Sequence, residues 1–132
     1  MRARKFVALA ATGLSALGIG LATSGTANAA ETCTSGYACL YYNSNYKGAF
    51  YRQYFDIPNY ANYYFSASAA GSAGAGLSVK NNTASVDNWD SYNGIRIYYN
   101  SGYQGTSQGI PAYGQANLNP DLKNDNASGK FY

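Results

Sequence analysis

The sequence predicts an all-β protein in which two Greek-key motifs form one β-sandwich. A nine-residue stretch, Leu-Tyr-Tyr-Asn-Ser-Asn-Tyr-Lys-Gly at residues 40–48, returns as Ile-Tyr-Tyr-Asn-Ser-Gly-Tyr-Gln-Gly at residues 97–105. A second stretch, Val-Lys-Asn-Asn-Thr-Ala-Ser at residues 79–85, returns as Leu-Lys-Asn-Asp-Asn-Ala-Ser at residues 122–128. Two paired motifs in a chain without helical periodicity indicate two similar β units, one after the other.

Each nine-residue stretch predicts a β-hairpin. A strand-like aromatic run meets Asn, Ser and Gly, which favour turns, and a second aromatic residue and a glycine follow. The glycine permits a backbone angle that a side chain would oppose, and the second aromatic ring can fold back over the turn. The residues of this fold signature are Tyr41, Tyr46, Gly48, Tyr98, Tyr103 and Gly105.

Eight short runs have the composition of β-strands. They lie at residues 38–42, 49–55, roughly 60–65, 85–89, 95–99, 106–110, 115–118 and 128–132. Pro58, Pro111 and Pro120 fall between the runs, where proline is tolerated. The first Greek key is therefore expected at residues 33–89 and the second at residues 95–132.

Residues 66–76 have no counterpart in the second half. They consist of Ser, Ala and Gly alone, a low-complexity composition without a large side chain. The sequence predicts a loop insertion that carries little packing, so that its removal should leave the fold intact.

The N-terminus has the pattern of a secretory signal peptide at residues 1–29, followed by one domain at residues 30–132. Arg2, Arg4 and Lys5 precede an apolar run from residue 6 to about residue 21, and Ala-Asn-Ala at residues 27–29 resembles a signal peptidase site. A bilayer needs roughly 20 apolar residues, so a membrane anchor is disfavoured. The three basic residues also account for the net charge of +3. The mature protein is therefore near neutral, which gives no reason to expect nucleic acid or an anionic membrane as a partner.

The cysteine and histidine content limits the chemistry. Cys33 and Cys39 enclose five residues in an exported chain, which predicts a disulfide. The chain has no histidine, so neither a zinc site nor a common catalytic triad can be assembled. Nothing fixes the separation of any carboxylate pair. We therefore predict a protein that is not an enzyme and has no certain metal site.

These residues resemble a known family. The paired hairpins, with their downstream Asn-Asn-Thr-Ala-Ser and Asn-Asp-Asn-Ala-Ser stretches, are similar to the βγ-crystallin fold. The opening Cys-Thr-Ser-Gly-Tyr-Ala-Cys-Leu-Tyr-Tyr at residues 33–42 resembles the secreted actinobacterial branch typified by the Streptomyces metalloproteinase inhibitors. The resemblance implies a secreted, monomeric inhibitor whose partner is an extracellular protease, bound through a loop of the sandwich. Typical inhibitors carry a second disulfide after the second hairpin, whereas residues 106–110 here have no cysteine, so an inhibitory loop in this part of the molecule would be unbraced.

Two other functions remain open from the sequence. One is a wall-, carbohydrate- or partner-binding module, as in killer-toxin-like proteins, which would use exposed tyrosines. Residues that could bind a partner in this way or as an inhibitor are Tyr60, Tyr63, Tyr64, Thr106, Ser107 and Gln108. The other is a calcium-binding module.

The calcium hypothesis rests on the repeated Asn-rich stretches. The family's calcium motif matches five of its six positions in each copy, and the sixth is Val86 or Gly129 instead of serine. Only Asp125 carries charge, so any calcium binding should be weak, at the roughly millimolar end. The alternative is that the Asn and Asp side chains cap turns. Candidate ligands are Asn81, Asn82, Ser85, Asn124, Asp125 and Ser128.

Overall fold

The structure is a computed structural model that describes residues 30–132; the predicted signal peptide lies outside them. Within this part, the chain forms two antiparallel sheets, which confirms the all-β prediction. The strands are β1 (Ala38–Asn43), β2 (Lys47–Gln53), β3 (Ser85–Asn88), β4 (Ile95–Asn100), β5 (Gln104–Ile110), β6 (Gln115–Asn117) and β7 (Ser128–Phe131). One sheet has the order β2-β1-β3-β6 and the other β5-β4-β7. No helix of residues 30–132 is long and apolar enough to cross a bilayer.

The two halves of the chain exchange strands. β6 belongs to the second half but pairs with β3 of the first half. In return, Ile57 of the first half pairs with Gly129 of β7, and the backbone amide of each residue donates a hydrogen bond to the carbonyl of the other. The core between the sheets contains buried side chains from both halves, including Leu40, Val86 and Ile97. Because each half contributes to the other's sheet and to the common core, the two Greek keys form one domain.

Both hairpins have the expected geometry. The ring of Tyr46 stands edge-on to Tyr41, with centroids 6.4 Å apart, and Tyr103 stands in the same way to Tyr98 at 5.9 Å. The backbone is left-handed at Gly48, with a φ of 87°. A side chain there would also press on Asn43, so the turn requires glycine.

The disulfide between Cys33 and Cys39 is present, as predicted. It lies on the outer face of the first sheet, in a second buried cluster with Tyr41 and Phe50. The bridge therefore fixes the chain before β1 over a surface that the sandwich core does not cover.

The strand predicted at residues 60–65 is wrong. Tyr60–Asn62 forms a short 3-10 helix instead, which begins at Asn59, whose side chain accepts a hydrogen bond from the Ala61 amide. Tyr60 and Phe65 are both buried in the same core cluster, although they are an odd number of residues apart and would lie on opposite faces of a strand. The strand position in this half is taken by Ile57.

The expectation that residues 66–76 carry little packing is also wrong. They form no strand, but they lie along the outer edge of β2 and are hydrogen-bonded to it. Phe50 exchanges two backbone bonds with Ser66, at 2.9 and 3.0 Å, and the Ala49 amide donates to the Ala73 carbonyl at 2.9 Å. The Ser68 hydroxyl is buried and donates to the Gly48 carbonyl at 2.7 Å. The segment therefore covers a sheet edge.

Candidate partner-binding surface

The segment after β2 is held by a buried polar cluster. The Tyr60 hydroxyl donates to Gln53 Oε1 at 2.6 Å, and both side chains are fully buried. Gln53 Nε2 in turn donates to the carbonyls of Phe55, at 2.9 Å, and Gly129, at 3.1 Å. A side chain at position 129 would collide with the Tyr60 hydroxyl, which explains why glycine stands there. A satisfied buried network of this kind fixes the backbone around it.

Backbone contacts at both ends add to this restraint. The Tyr60 amide donates to the Ala127 carbonyl at 2.9 Å, and the Val79 amide donates to the Tyr63 carbonyl at 2.8 Å. Asp56 Oδ1 accepts from the Phe131 amide at 2.9 Å. The segment is thus not a free loop, because it is bonded to strands of the second sheet and to the chain before β3.

Aromatic side chains form a continuous row along this segment. Neighbouring rings meet edge to face, with centroid separations of 5.7, 5.0, 6.3 and 5.4 Å. The members of this aromatic row are, in order, Tyr37, Tyr54, Phe55, Tyr63 and Tyr51. Edge-to-face contacts of this type contribute about 0.5–1.5 kcal/mol each beyond the area that they bury. The rings therefore order one another.

The middle of the aromatic row is open to solvent. Tyr54 is 64% exposed and Phe55 is 41% exposed. The Arg52 guanidinium lies 5.4 Å from the centre of the Tyr37 ring and is paired with Glu31 at 2.9 Å, at one end of the row. At the other end, burial and the nearby Tyr63 and Tyr54 raise the pKa of Tyr51 to about 12. The row thus presents exposed aromatic rings between the Arg52–Glu31 ion pair at one end and Tyr51 at the other.

The structure divides the three tyrosines that the sequence suggested for partner binding. Tyr60 is fully buried, so its assignment to an exposed surface is wrong. Tyr63 is half-buried within the aromatic row, and Tyr64 is 56% exposed and forms an isolated bridge with Ser78. Sequence reasoning missed Tyr54 and Phe55, because it placed them inside a strand. The signal was the Tyr-Phe-Asp-Ile-Pro sequence, in which proline ends the strand early.

The second predicted group lies in a strand. Thr106, Ser107 and Gln108 belong to β5, which pairs with β4 as the strand prediction at residues 106–110 expected, so they do not form an unbraced inhibitory loop. Gln108 joins the two sheets: its Oε1 accepts from the Asn119 amide at 2.7 Å, and its Nε2 donates to the Asn117 carbonyl at 3.2 Å. This group lies on a different element from the aromatic row.

Comparison with known proteins identifies the family. The family model described as "Peptidase inhibitor family I36" matches residues 26–110, more than half of the chain. The chain belongs to this family. Membership in an inhibitor family agrees with the prediction that the chain is not an enzyme. The matched region contains the whole aromatic row and ends with β5.

A solved structure supports the fold of this I36 family member. It is described as "Evolution of the eye lens beta-gamma-crystallin domain fold", and the two chains superpose with a TM-score of 0.58 at 14% identity. The alignment covers 82% of this chain and 93% of that chain. At such low identity the likeness shows the fold alone, which is the βγ-crystallin fold that the repeats predicted. Among the curated proteins, none matches this chain.

The candidate calcium ligands of this I36 family member are used in turns. Asn81 and Asn124 both have left-handed backbones, and their amides donate to the other half, to the carbonyls of Asn126 at 2.7 Å and Thr83 at 2.9 Å. The Asn82 side chain donates to the Ser78 and Lys80 carbonyls. These contacts support the turn-capping interpretation.

Asn81 and Asp125 do line one open pocket, beside Asn100 and Ser101. Lys80 also lines it, with Nζ 3.5 Å from Ser101 Oγ, and its positive charge opposes a bound cation. Within residues 30–132, no group of three or more His, Cys, Asp or Glu side chains is placed to hold a metal. Ser85 and Ser128 are buried under the hairpins and do not line this pocket.

Proposed function

We propose that this protein is secreted and inhibits an extracellular protease by docking the aromatic row onto it. Family membership supports an inhibitor-like protein, and the disulfide fits an oxidising compartment. The observation that carries the proposal is the exposure of Tyr54 and Phe55 on a segment whose backbone is already fixed. Exposed aromatic rings of this kind are typical binding hot spots.

The restrained backbone favours inhibition over cleavage. A flexible loop loses conformational entropy when it enters a protease cleft, and it can adopt the extended geometry that cleavage needs. Here Phe55 and Tyr63 are tied through their carbonyls to Gln53 and Val79. The loss of entropy on binding is therefore small, and a preorganised surface of this kind gains affinity.

The test is an inhibition assay of the mature protein, residues 30–132, against a panel of secreted metallo- and serine proteases. We expect inhibition of at least one enzyme, and a loss of about tenfold or more in affinity for Tyr54→Ala and for Phe55→Ala, as for hot-spot truncations. The matched control is Tyr92→Ala, because Tyr92 is 90% exposed on another part of the surface. Inhibition of no protease would contradict the proposal, and equal loss in the control would place the binding surface elsewhere.

Three further expectations from the sequence remain proposals. The exposed ring of Tyr54 would also suit stacking on a sugar, so the aromatic row is the site that we assign to a carbohydrate-binding alternative. Calcium, if it binds near Asp125, should bind weakly, at the roughly millimolar level, because the pocket has a single carboxylate and is also lined by Lys80. We expect the mature protein to be a monomer.

A further inference from the structure

The two halves of the molecule differ at one equivalent sheet edge. β2 and β5 occupy matching positions, because each is the second strand of a repeated hairpin. The outer edge of β2 is occupied by residues 66–76, through the paired bonds between Phe50 and Ser66. The second half has no such segment. The outer edge of β2 is therefore covered by a hydrogen-bonded segment, whereas the equivalent edge of β5 is not covered by any segment of residues 30–132.

The register of β5 determines which of its backbone N–H and C=O groups point away from β4. The Ala127 amide donates to the Tyr98 carbonyl at 2.8 Å. The backbone N–H and C=O groups of Tyr98 and of alternate residues of β4 therefore point toward β7. The residues of β5 opposite these positions are Ser107 and Gly109, and their N–H and C=O groups point away from β4. Within residues 30–132, no backbone group bonds to them on that side. Ser107 is the repeat equivalent of Phe50, the residue that is bonded in the first half.

Among the described residues, this edge lacks three of the features that usually protect an exposed strand, which are charged side chains, proline and a covering segment. The sequence Gln-Gly-Thr-Ser-Gln-Gly-Ile of β5 contains neither a charged residue nor a proline. Natural edge strands are commonly blocked by lysine, proline or a covering segment. β5 is therefore open to pairing with another strand.

One cation, Arg96 of β4, reaches this edge on the outer face of the second sheet, and a second, Lys130, lies on the far side of β4. Arg96 of β4 is directly opposite Lys130 of β7. Arg96 Nη1 donates to the Ser107 hydroxyl at 3.1 Å, and its guanidinium lies 5.5 Å from the centre of the Tyr132 ring. No carboxylate in residues 30–132 forms a salt bridge with either cation. Like charges in directly opposed positions are unfavourable, so an added carboxylate would be stabilised here.

From the bare edge and this charge, we propose that β5 is a docking site for an extended peptide strand of a partner protein. The strand pairs with the backbone of Ser107 and Gly109, carries small uncharged side chains like those of residues 66–76, and places one carboxylate against Arg96. This is β-strand addition, in which main-chain hydrogen bonds supply affinity and side chains supply specificity. The proposal does not rest on the aromatic row.

The charge argues against a second copy of this chain as the occupant. β5 has no acidic residue, so a symmetric β5 to β5 pairing would leave Arg96 without a carboxylate partner. It would also bring the two Arg96 side chains to the same face of one continuous sheet. A partner strand with one Asp or Glu would supply the missing carboxylate and would not place a second arginine on the same face.

The experiment uses isotope-labelled mature protein and three synthetic probes. The first probe is acetyl-Ala-Ser-Ala-Asp-Ala-Ser-amide, the second has Asn in place of Asp, and the third is an N-methylated form of the first that cannot donate hydrogen bonds. We expect the acidic probe to shift the amide resonances of Ser107 and Gly109 and to slow their hydrogen exchange. The Phe50 amide is the internal control, because it is already bonded.

The Arg96→Gln variant separates charge from strand pairing. It should weaken the acidic probe about two- to five-fold, the effect of an exposed ion pair, and leave the Asn probe unchanged. Three results would overturn the proposal: no shift at Ser107 or Gly109 at millimolar probe, equal binding of the N-methylated probe, or protection of both amides in the free protein as its concentration rises. The last result would identify a second copy as the occupant.

Discussion

A single serine hydroxyl completes each hairpin. Ser85 Oγ accepts from the Tyr46 amide at 3.0 Å and donates to the Asn43 carbonyl at 2.7 Å. Ser128 makes the same two bonds, to Tyr103 at 3.0 Å and Asn100 at 2.7 Å. The two serines recur in the sequence because each one satisfies both a donor and an acceptor of a folded turn.

We predict that Ser85→Ala and Ser128→Ala each destabilise the protein by about 1–3 kcal/mol, because each leaves a hairpin amide and carbonyl without their partner. For a domain of this size, the melting temperature should fall by roughly 4–8 °C for each kcal/mol. Thermal unfolding by circular dichroism measures this. Ser91→Ala is the control, since Ser91 is exposed. If the variants unfold like the wild type, water satisfies the turns and the hydroxyls are not structural.

Tyr60 and Tyr54 show why the sequence alone does not predict which tyrosines are exposed. Both are tyrosines in a tyrosine-rich stretch, and the sequence favoured Tyr60 for exposure. Tyr60 is buried because Gln53 and Gly129, distant along the chain, supply an acceptor and a space for its hydroxyl. Such long-range complementarity has no local signal, so the identity of the exposed rings could not be predicted.

At the level of elements, residues 66–76 show why a Gly-rich composition can be misread. The small residues suggest a loose insertion, but they allow the chain to approach β2 and its aromatic neighbours closely. Gly74 lies against the face of the Tyr42 ring, where a side chain would collide with it. The segment is therefore an irregular cover for an edge strand, built from residues small enough to fit.

We predict that Gly74→Ala destabilises the protein more than Gly76→Ala does. Both glycines have left-handed backbones, with φ of 88° and 89°, so the conformational cost of adding a methyl group is matched. Only Gly74 has the Tyr42 ring in the way, whereas nothing lies within 4 Å of a methyl group at Gly76. Overpacking typically costs about 1–3 kcal/mol, which is the expected difference in unfolding free energy by chemical denaturation.

An equal loss of unfolding free energy in the two variants would contradict this packing and would support the interpretation of the segment as a loose insertion. In that case deletion of residues 66–76 should be tolerated, as the sequence suggested. With the packing present, deletion should instead lower stability and expose the edge of β2, with self-association as the visible result.

For the whole molecule, the repeats were sufficient to predict the architecture. The paired hairpins specified two Greek keys, and seven of the eight predicted strands exist within residues 30–132. The exchange of β6 and Ile57 between the sheets was not predicted, because both are short and have no composition that distinguishes one sheet from the other. It depends on how the two units face each other, which is a property of the assembled core.

The density of buried tyrosines gives the whole molecule a characteristic response to alkali. Burial, with a contribution from the nearby Asp87, raises the pKa of Tyr41 to about 12, and burial raises the pKa of Tyr51 to about 12. Burial raises the pKa of Tyr60 well above its usual value of 10.0. Tyr60 is buried in the core, Tyr41 is buried on the outer face of the first sheet and Tyr51 is partly buried, and in each case the loss of solvent disfavours the charged phenolate in the folded state.

We predict that the protein loses stability as the pH rises above about 10, while its stability below that pH is unaffected by these groups. The unfolded chain releases tyrosine protons near pH 10, whereas the folded chain holds them until about pH 12, so deprotonation favours the unfolded state between these values. Unfolding free energies from denaturant titrations at increasing pH measure the slope. Phenolate absorbance should rise in two stages, first for exposed rings such as Tyr92 and then, together with loss of the near-ultraviolet circular dichroism signal, for the buried ones. A single absorbance transition near pH 10 in a protein that remains folded would contradict the burial of these three rings.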